Sequence, residues 1–189
     1  MSKETSMRLF VAVPIPSAIK EQLQSWCDRH KANLHFRRWV HIDDYHITLQ
    51  FLGATLPEQM DKLISVLREA GMHQTKFSLT VHGLGTFGSR DAPRVLWAGL
   101  QGDLQALNRL QQAIVTATSQ VGFVPEDRPY RPHITLASKY DASAEQKFNA
   151  ELAPVDTIEA AFSVDRFVLY RSHLNAQPMY EELESFQLT

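Results

Sequence analysis

His46-Ile47-Thr48-Leu49 and His133-Ile134-Thr135-Leu136 are the same four residues written twice in one chain, 87 positions apart. Side chains on a strand alternate between its two faces. In each copy the histidine and threonine therefore point one way, and the isoleucine and leucine point the other. A repeated tetrapeptide can be accidental, so a longer register is needed to give it weight. Arg8 and Arg94 open similar apolar runs 86 residues apart, and Phe77-Ser78 and Phe162-Ser163 stand 85 apart. Three landmarks at nearly one offset predict two related halves, about 7–90 and 93–189, within a single bilobal domain. A pseudo-two-fold axis between them would bring both histidines to one shared cleft.

The remaining pattern supports an α+β chain in which each half runs strand, helix, strand, helix, strand. Residues 9–13 form an apolar run broken by Pro14 and Pro16, hence a strand. Ser17 is placed to cap a helix to about His30, with Ile19, Leu23 and Trp26 on one face. A second strand spans 45–52. Thr55 and Glu58 have capping-box spacing before a helix that buries Met60, Leu63, Ile64 and Leu67 and stops at Gly71. Phe77, Leu79 and Val81 alternate as a strand. In the second half, strands are expected over 94–100 and 131–138 with a helix over 103–121 between them, closed by Gly122. A weaker helix over 143–150 and strands over 162–170 and 180–188 complete the chain.

Composition narrows the function. The 189 residues are 44% hydrophobic and 21% charged, ordinary values for a folded domain. A formal net charge of −2 rules out a basic surface of the kind that holds long duplex nucleic acid. Cys27 is the one cysteine, which excludes an internal disulfide and a cysteine-rich zinc site and fits a cytoplasmic setting. The first apolar run is too short for a signal-peptide core or a membrane span. A monomer with no membrane attachment and no cofactor is expected.

Paired histidines suit acid–base chemistry. An imidazole titrates near pH ~6.5, so one ring can be neutral while its partner is protonated. Set on opposite sides of a phosphodiester, a neutral ring would take a proton from attacking water and a protonated one would give a proton to the departing oxygen. The hydroxyls of Thr48 and Thr135 can donate to the non-bridging oxygens, where charge gathers. A zinc site is the competing use of paired histidines, but each motif supplies one imidazole, without the His-X-His or His-Glu-X-X-His spacing that would add ligands. Asp43 and Asp44 stand near His46 and read as solvated turn residues. Arg37, Arg38, Arg128 and Arg131 precede the two motifs. Of these, Arg131 is best placed to clamp a phosphate, being two residues before His133 and on its face if the strand starts that early. Trp39, Phe51, Phe87 and Tyr130 are candidate stacking surfaces for a base, with Phe51 and Tyr130 the preferred substrate contacts.

With these residues in place, the chain resembles the 2H phosphoesterase superfamily, in particular the bacterial RNA 2′,3′-cyclic phosphodiesterases also called 2′-5′ RNA ligases. The resemblance rests on Arg8-Leu-Phe-Val-Ala-Val13, Arg38-Trp39-Val40, His46-Ile-Thr-Leu-Gln-Phe-Leu-Gly53, Arg94-Val-Leu-Trp-Ala-Gly-Leu100, Arg131-Pro-His-Ile-Thr-Leu136, Phe167-Val-Leu-Tyr-Arg-Ser172 and Tyr180. It implies two pseudo-symmetric lobes of antiparallel sheet with outer helices and a central cleft holding the histidines. It implies metal-independent hydrolysis of a terminal 2′,3′-cyclic phosphate, on RNA 3′ ends or nucleotides, to a 2′-phosphate, with related 2′-5′ ligation. It also assigns roles that the residues alone leave open: His46 as proton donor and His133 as proton acceptor. Asp44-Tyr45 and Gln50 depart from the more usual Asn-Leu and Lys, which bears on substrate contacts. The alternative from another class is an RNA-end binding module without turnover.

Overall fold

The structure is a computed structural model that describes residues 5–143, 148 and 158–189. In chain order the elements are β1 (Met7–Pro14), α1 (Ser17–His30), β2 (Phe36–Trp39), β3 (His46–Thr55), α2 (Met60–Met72), β4 (Phe77–Gly88), β5 (Pro93–Gly102), α3 (Leu104–Ser119), β6 (Ile134–Tyr140), β7 (Glu159–Val164), β8 (Arg166–Ser172) and β9 (Tyr180–Gln187). The expected helix over 143–150 falls outside the described residues, save Ser143 and Phe148.

The strands form one sheet in the order β7-β4-β5-β6-β3-β1-β8-β9, with β2 added beside β6, and every pairing is antiparallel. The order reads as a mirror about the β3–β6 junction. Strands β4, β8 and β9 cross that line relative to the sequence. β4 lies against β5 rather than with β1 and β3, while β8 lies against β1 and β9 against β8. The Phe77-Ser78 and Phe162-Ser163 landmark consequently has a different meaning. Ser78 and Ser163 face each other on neighbouring strands, and Leu79 faces Phe162, so these are pairing partners rather than equivalent positions.

The three described α-helices cover one face of the sheet. α1 buries Ile19, Leu23, Trp26 and Cys27, α2 buries Leu63, Leu67 and Gly71, and α3 buries Ala106, Leu107, Leu110, Ile114 and Thr118. These meet Val11, Ile47, Leu49, Leu96, Ala98, Ile134 and Leu136 in a common core. At 25 cal/mol per Å² or so, such apolar burial is the main favourable contribution to folding.

Several expectations need correction. Ser17 opens α1 without a side-chain capping bond. Thr55 is fully buried at the end of β3 and donates to the carbonyl of Gly53; the capping contact is made one residue on, where the Leu56 amide donates to Gln59 Oε1 at 2.9 Å. Gly71 does not stop α2, which continues to Met72. It is needed for packing, since a Cβ there would stand 3.1 Å from the Phe167 ring. The run over 162–170 divides at Asp165 into β7 and β8, on opposite wings of the sheet. β2 was not anticipated: four residues, two of them exposed arginines, carry too little alternation.

Candidate active site

Both motifs carry the same distortion. Val11 and Ala12 are adjacent on β1 yet face Gln50 and Thr48 on β3, so Leu49 is an extra residue. Leu96 and Trp97 on β5 face Ala137 and Thr135 on β6, so Leu136 is extra in the same way. A bulge turns two successive side chains toward one side. Accordingly Leu49 and Gln50 are both buried, as are Leu136 and Ala137. His46 and Thr48, like His133 and Thr135, are left on the helix-free face, partly open to solvent.

Ile47 of β3 pairs with Ile134 of β6 across the mirror line. His46 immediately precedes Ile47 at the start of β3, and His133 immediately precedes Ile134 at the entry to β6. Continuing that antiparallel register by one residue would make the histidines diagonal neighbours, at a spacing of about 7–8 Å, and the His133 charge does act on His46. The four motif residues are thus gathered around one spot. β6 begins at Ile134, so His133 and Arg131 precede the strand rather than lie on it.

Each ring is held in the same tautomer. His46 Nδ1 lies 2.7 Å from the Asp44 carbonyl and His133 Nδ1 lies 2.7 Å from the Arg131 carbonyl. A carbonyl only accepts, so Nδ1 carries the hydrogen in both rings and Nε2 is the nitrogen left with a lone pair. His46 Nε2 is 3.0 Å from Thr48 Oγ1, whose hydroxyl donates to it while the ring is neutral. Burial pushes His46 down to about 4, opposed by its bond to the Asp44 carbonyl and the Asp44 charge; the charge on His133 adds to the depression. His133 is also lowered by burial, opposed by the Arg131 carbonyl.

Aromatic rings enclose each histidine. Around His46 are Phe10 at 5.0 Å, Tyr180 at 5.2 Å edge-on and Tyr170 at 6.4 Å between ring centroids. Around His133 are Phe87 at 4.9 Å edge-on and Trp97 at 6.2 Å. Phe51 is 58% exposed, packed against Phe10 at the rim of the cleft. Tyr130 lines the cleft wall, and its hydroxyl donates to the Thr48 carbonyl at 2.8 Å. Arg131 is exposed and lines, with Tyr130, Phe87 and Trp97, a groove of about 600 Å³ beside His133. The other cations are less available. Arg37 pairs with Asp141 at 2.8 Å, Arg38 points at Met179, and Arg128 is an exposed residue 3.6 Å from Glu126. Trp39 packs against the core, edge-on to Phe36.

The sequence reading misplaced two residues. Asp44 is 5% exposed, not a solvated turn residue, and accepts from the amides of Met179 and Tyr180. Gln50 faces α3 rather than the cleft, accepting from Thr118 Oγ1 at 2.7 Å. Phe10, Trp97 and Tyr170 were not singled out; the signal lay in their strand alternation, visible only once the bulges are known. Among the described residues no group of three or more His, Cys, Asp or Glu is placed to hold a metal ion. No described helix is long and apolar enough to cross a membrane.

A family model described as the 2′-5′ RNA ligase superfamily matches residues 15–176. The chain belongs to that superfamily. Within it, an RNA 2′,3′-cyclic phosphodiesterase from Bacillus subtilis is 39% identical over 180 residues, covering 95% of this chain and 96% of the relative. A protein of the same name from Geobacillus stearothermophilus is 38% identical over 95% of this chain, which spans 56% of that relative's length. Among solved structures, Escherichia coli LigT complexed with 3′-AMP superposes with a TM-score of 0.78 at 27% identity, covering 97% of this chain and 99% of LigT. This superfamily member therefore shares the α+β antiparallel architecture of LigT over its whole sheet.

Proposed function

We infer that this superfamily member hydrolyses the 2′,3′-cyclic phosphate at an RNA 3′ end, or on a nucleotide, to a 2′-phosphate, with His46 and His133 as acid and base. It is an enzyme of the RNA 2′,3′-cyclic phosphodiesterase class, as the names of relatives similar over nearly their whole length support. The observation that supports the residue assignment is the Ile47–Ile134 pairing, beside which each preceding histidine gives its Nδ1–H to the carbonyl two residues before it.

His133 Nε2, bearing a lone pair, takes the proton of water as its oxygen bonds to phosphorus. The P–O3′ bond breaks on the far side, and His46 Nε2–H delivers a proton to the 3′ oxygen. Thr48 and Thr135 donate to the non-bridging oxygens as charge builds on them. Two features favour this order. The Asp44 charge acts on His46 and favours its protonated form. His133 has no carboxylate acting on it: burial lowers its value and only the Arg131 carbonyl opposes that. Burial, with the charges of His133 and Lys20, holds His46 below its ordinary value, and an anionic phosphate against Nε2 opposes that push and raises its proton affinity. Arg131, Tyr130 and Phe51 contact the nucleotide. The scheme needs no metal or cofactor. An RNA hydroxyl in place of water would give the related 2′-5′ linkage. We further propose a monomer working in the cytoplasm, in keeping with its lone, buried, unreactive thiol, which burial pushes up to about 11.

The test is incubation with nucleoside 2′,3′-cyclic phosphates in excess EDTA, followed by identification of the product isomer. The 2′-nucleotide is expected, with hydrolysis lost in His46→Ala and in His133→Ala. A 3′-nucleotide, or activity that disappears with EDTA, would overturn the reading.

A further inference from the structure

Asp44 is the one carboxylate among the buried polar residues of the described chain, 5% exposed, and no described cation is paired with it. Its oxygens are held by backbone amides alone. Met179 N is 3.1 Å from Oδ1 and 2.9 Å from Oδ2, and Tyr180 N is 3.2 Å from Oδ1. The same residue's carbonyl receives His46 Nδ1–H at 2.7 Å. Asp44 thus touches the His46 ring from behind and fastens the start of β9, whose first residue, Tyr180, stands edge-on to that ring at 5.2 Å.

Burying an anion without a cation is costly. A neutral asparagine could accept the same amides through one oxygen, so amide capture alone does not account for a full charge here. The charge has an evident use in the ring it adjoins. His46 is packed by Phe10 of β1, Tyr170 of β8 and Tyr180 of β9, with Lys20 of α1 and His133 acting on it electrostatically. Lys20 and His133 both oppose a positive ring, and the tyrosines are neutral. Asp44 is the group whose charge favours an imidazolium. The field extends to both tyrosines, since Asp44 contributes to the raised values of Tyr170 and Tyr180.

We propose that Asp44 is a positioning residue for His46: its carbonyl fixes the ring's tautomer, and its amide-held carboxylate supplies the counter-charge that lets the ring carry a proton to the leaving oxygen. The proposal rests on the acid role of His46 inferred above.

The test is Asp44→Asn, which is isosteric and can keep both Oδ1 contacts while removing the charge. The His46 imidazole titration, followed by NMR, is expected to move to lower pH. The limb of kcat against pH that reports the acid should move with it, and kcat at neutral pH should fall about tenfold per unit of that movement, with KM little changed. Asp44→Asn protein with an unmoved His46 titration and pH profile overturns the proposal, whatever its thermal stability. Should that variant fail to fold, the unsubstituted protein decides. Neutral His46 must carry its hydrogen on Nδ1 in the nitrogen spectrum, and finding it on Nε2 overturns the proposal. His46→Ala separates the two readings. Hydrolysis that survives it removes the acid role itself, whereas hydrolysis lost in His46→Ala alongside an unaltered pH profile in Asp44→Asn removes only the role of Asp44.

Discussion

The hydroxyl of Tyr130 donates to the carbonyl of Thr48 at 2.8 Å, tying the segment that precedes β6 to the strand that carries the other motif. Tyr130 is partly buried, and burial raises its phenol well above the usual range, so it remains a donor at any working pH. Tyr130→Phe removes this tie and leaves the ring. The expected loss is about 1 kcal/mol of stability, read as a lower denaturant midpoint. Because Arg131 and His133 follow within three residues, kcat should fall as well, by about tenfold for a misplacement well under an ångström. A variant with reduced stability and unchanged kcat would show that the tie serves folding alone.

Burial of His46 links stability to pH. Its folded value of about 4 lies below the ordinary 6.5, so between those values the unfolded chain binds more protons than the folded one. Stability therefore rises with pH through this window, is complete above it, and is lost as the pH falls toward the folded value. The size is up to about 3 kcal/mol, and His133, also depressed, acts in the same direction. Denaturant titrations at pH ~7 and pH ~4.5 should show the loss, and His46→Asn should diminish it. An equal slope in the variant would assign the acid sensitivity to other groups.

Gly85 is the place where Trp97 crosses β4. The two face each other on paired strands, and a Cβ at Gly85 would fall 2.1 Å from the indole ring. Gly85→Ala must displace Trp97, and with it the wall 6.2 Å from His133. Overpacking of this kind costs about 1–3 kcal/mol. The expected result is a shift in tryptophan emission, a lower melting temperature and reduced turnover. Gly83, where a Cβ would meet nothing within 4 Å but φ is +73°, provides the contrast. Gly83→Ala should destabilise through backbone strain, by about 1 kcal/mol, and leave the emission in place.

How much of this could be read from the chain differs from element to element. The motifs were legible because His46-Ile-Thr-Leu and His133-Ile-Thr-Leu each alternate cleanly, and strand alternation is a local property. α1 and α3 were legible for the same reason, their apolar faces recurring at helical spacing. What was hidden depends on which strand lies beside which. The exchange of β4 and β8 between the wings leaves no local mark, so Ser78 and Ser163 looked like repeats when they are neighbours. The burial of Asp44 is set by amides 135 and 136 residues away. The bulge at Leu49 turns Gln50 to the helices, although strict alternation from His46 would put it in the cleft.

That misplaced glutamine yields a last prediction. Gln50 is 5% exposed and Thr118 fully buried, and the Thr118 hydroxyl donates to Gln50 Oε1 at 2.7 Å between β3 and α3. Gln50 Nε2 is buried without a partner among the described residues. The pair is therefore half satisfied. Thr118→Val leaves the whole amide unpaired and should cost about 1–3 kcal/mol. Gln50→Leu should cost less, because it removes a buried donor that already lacks an acceptor, while Thr118 keeps its contact to the Val115 carbonyl. The double variant Gln50→Leu, Thr118→Val removes every polar atom of the pair at similar volume and should approach or exceed the starting stability. Its coupling energy, from denaturant midpoints of the four proteins, should be opposite in sign to the two single losses. Additive losses would mean that water or a rotated side chain already satisfies the amide.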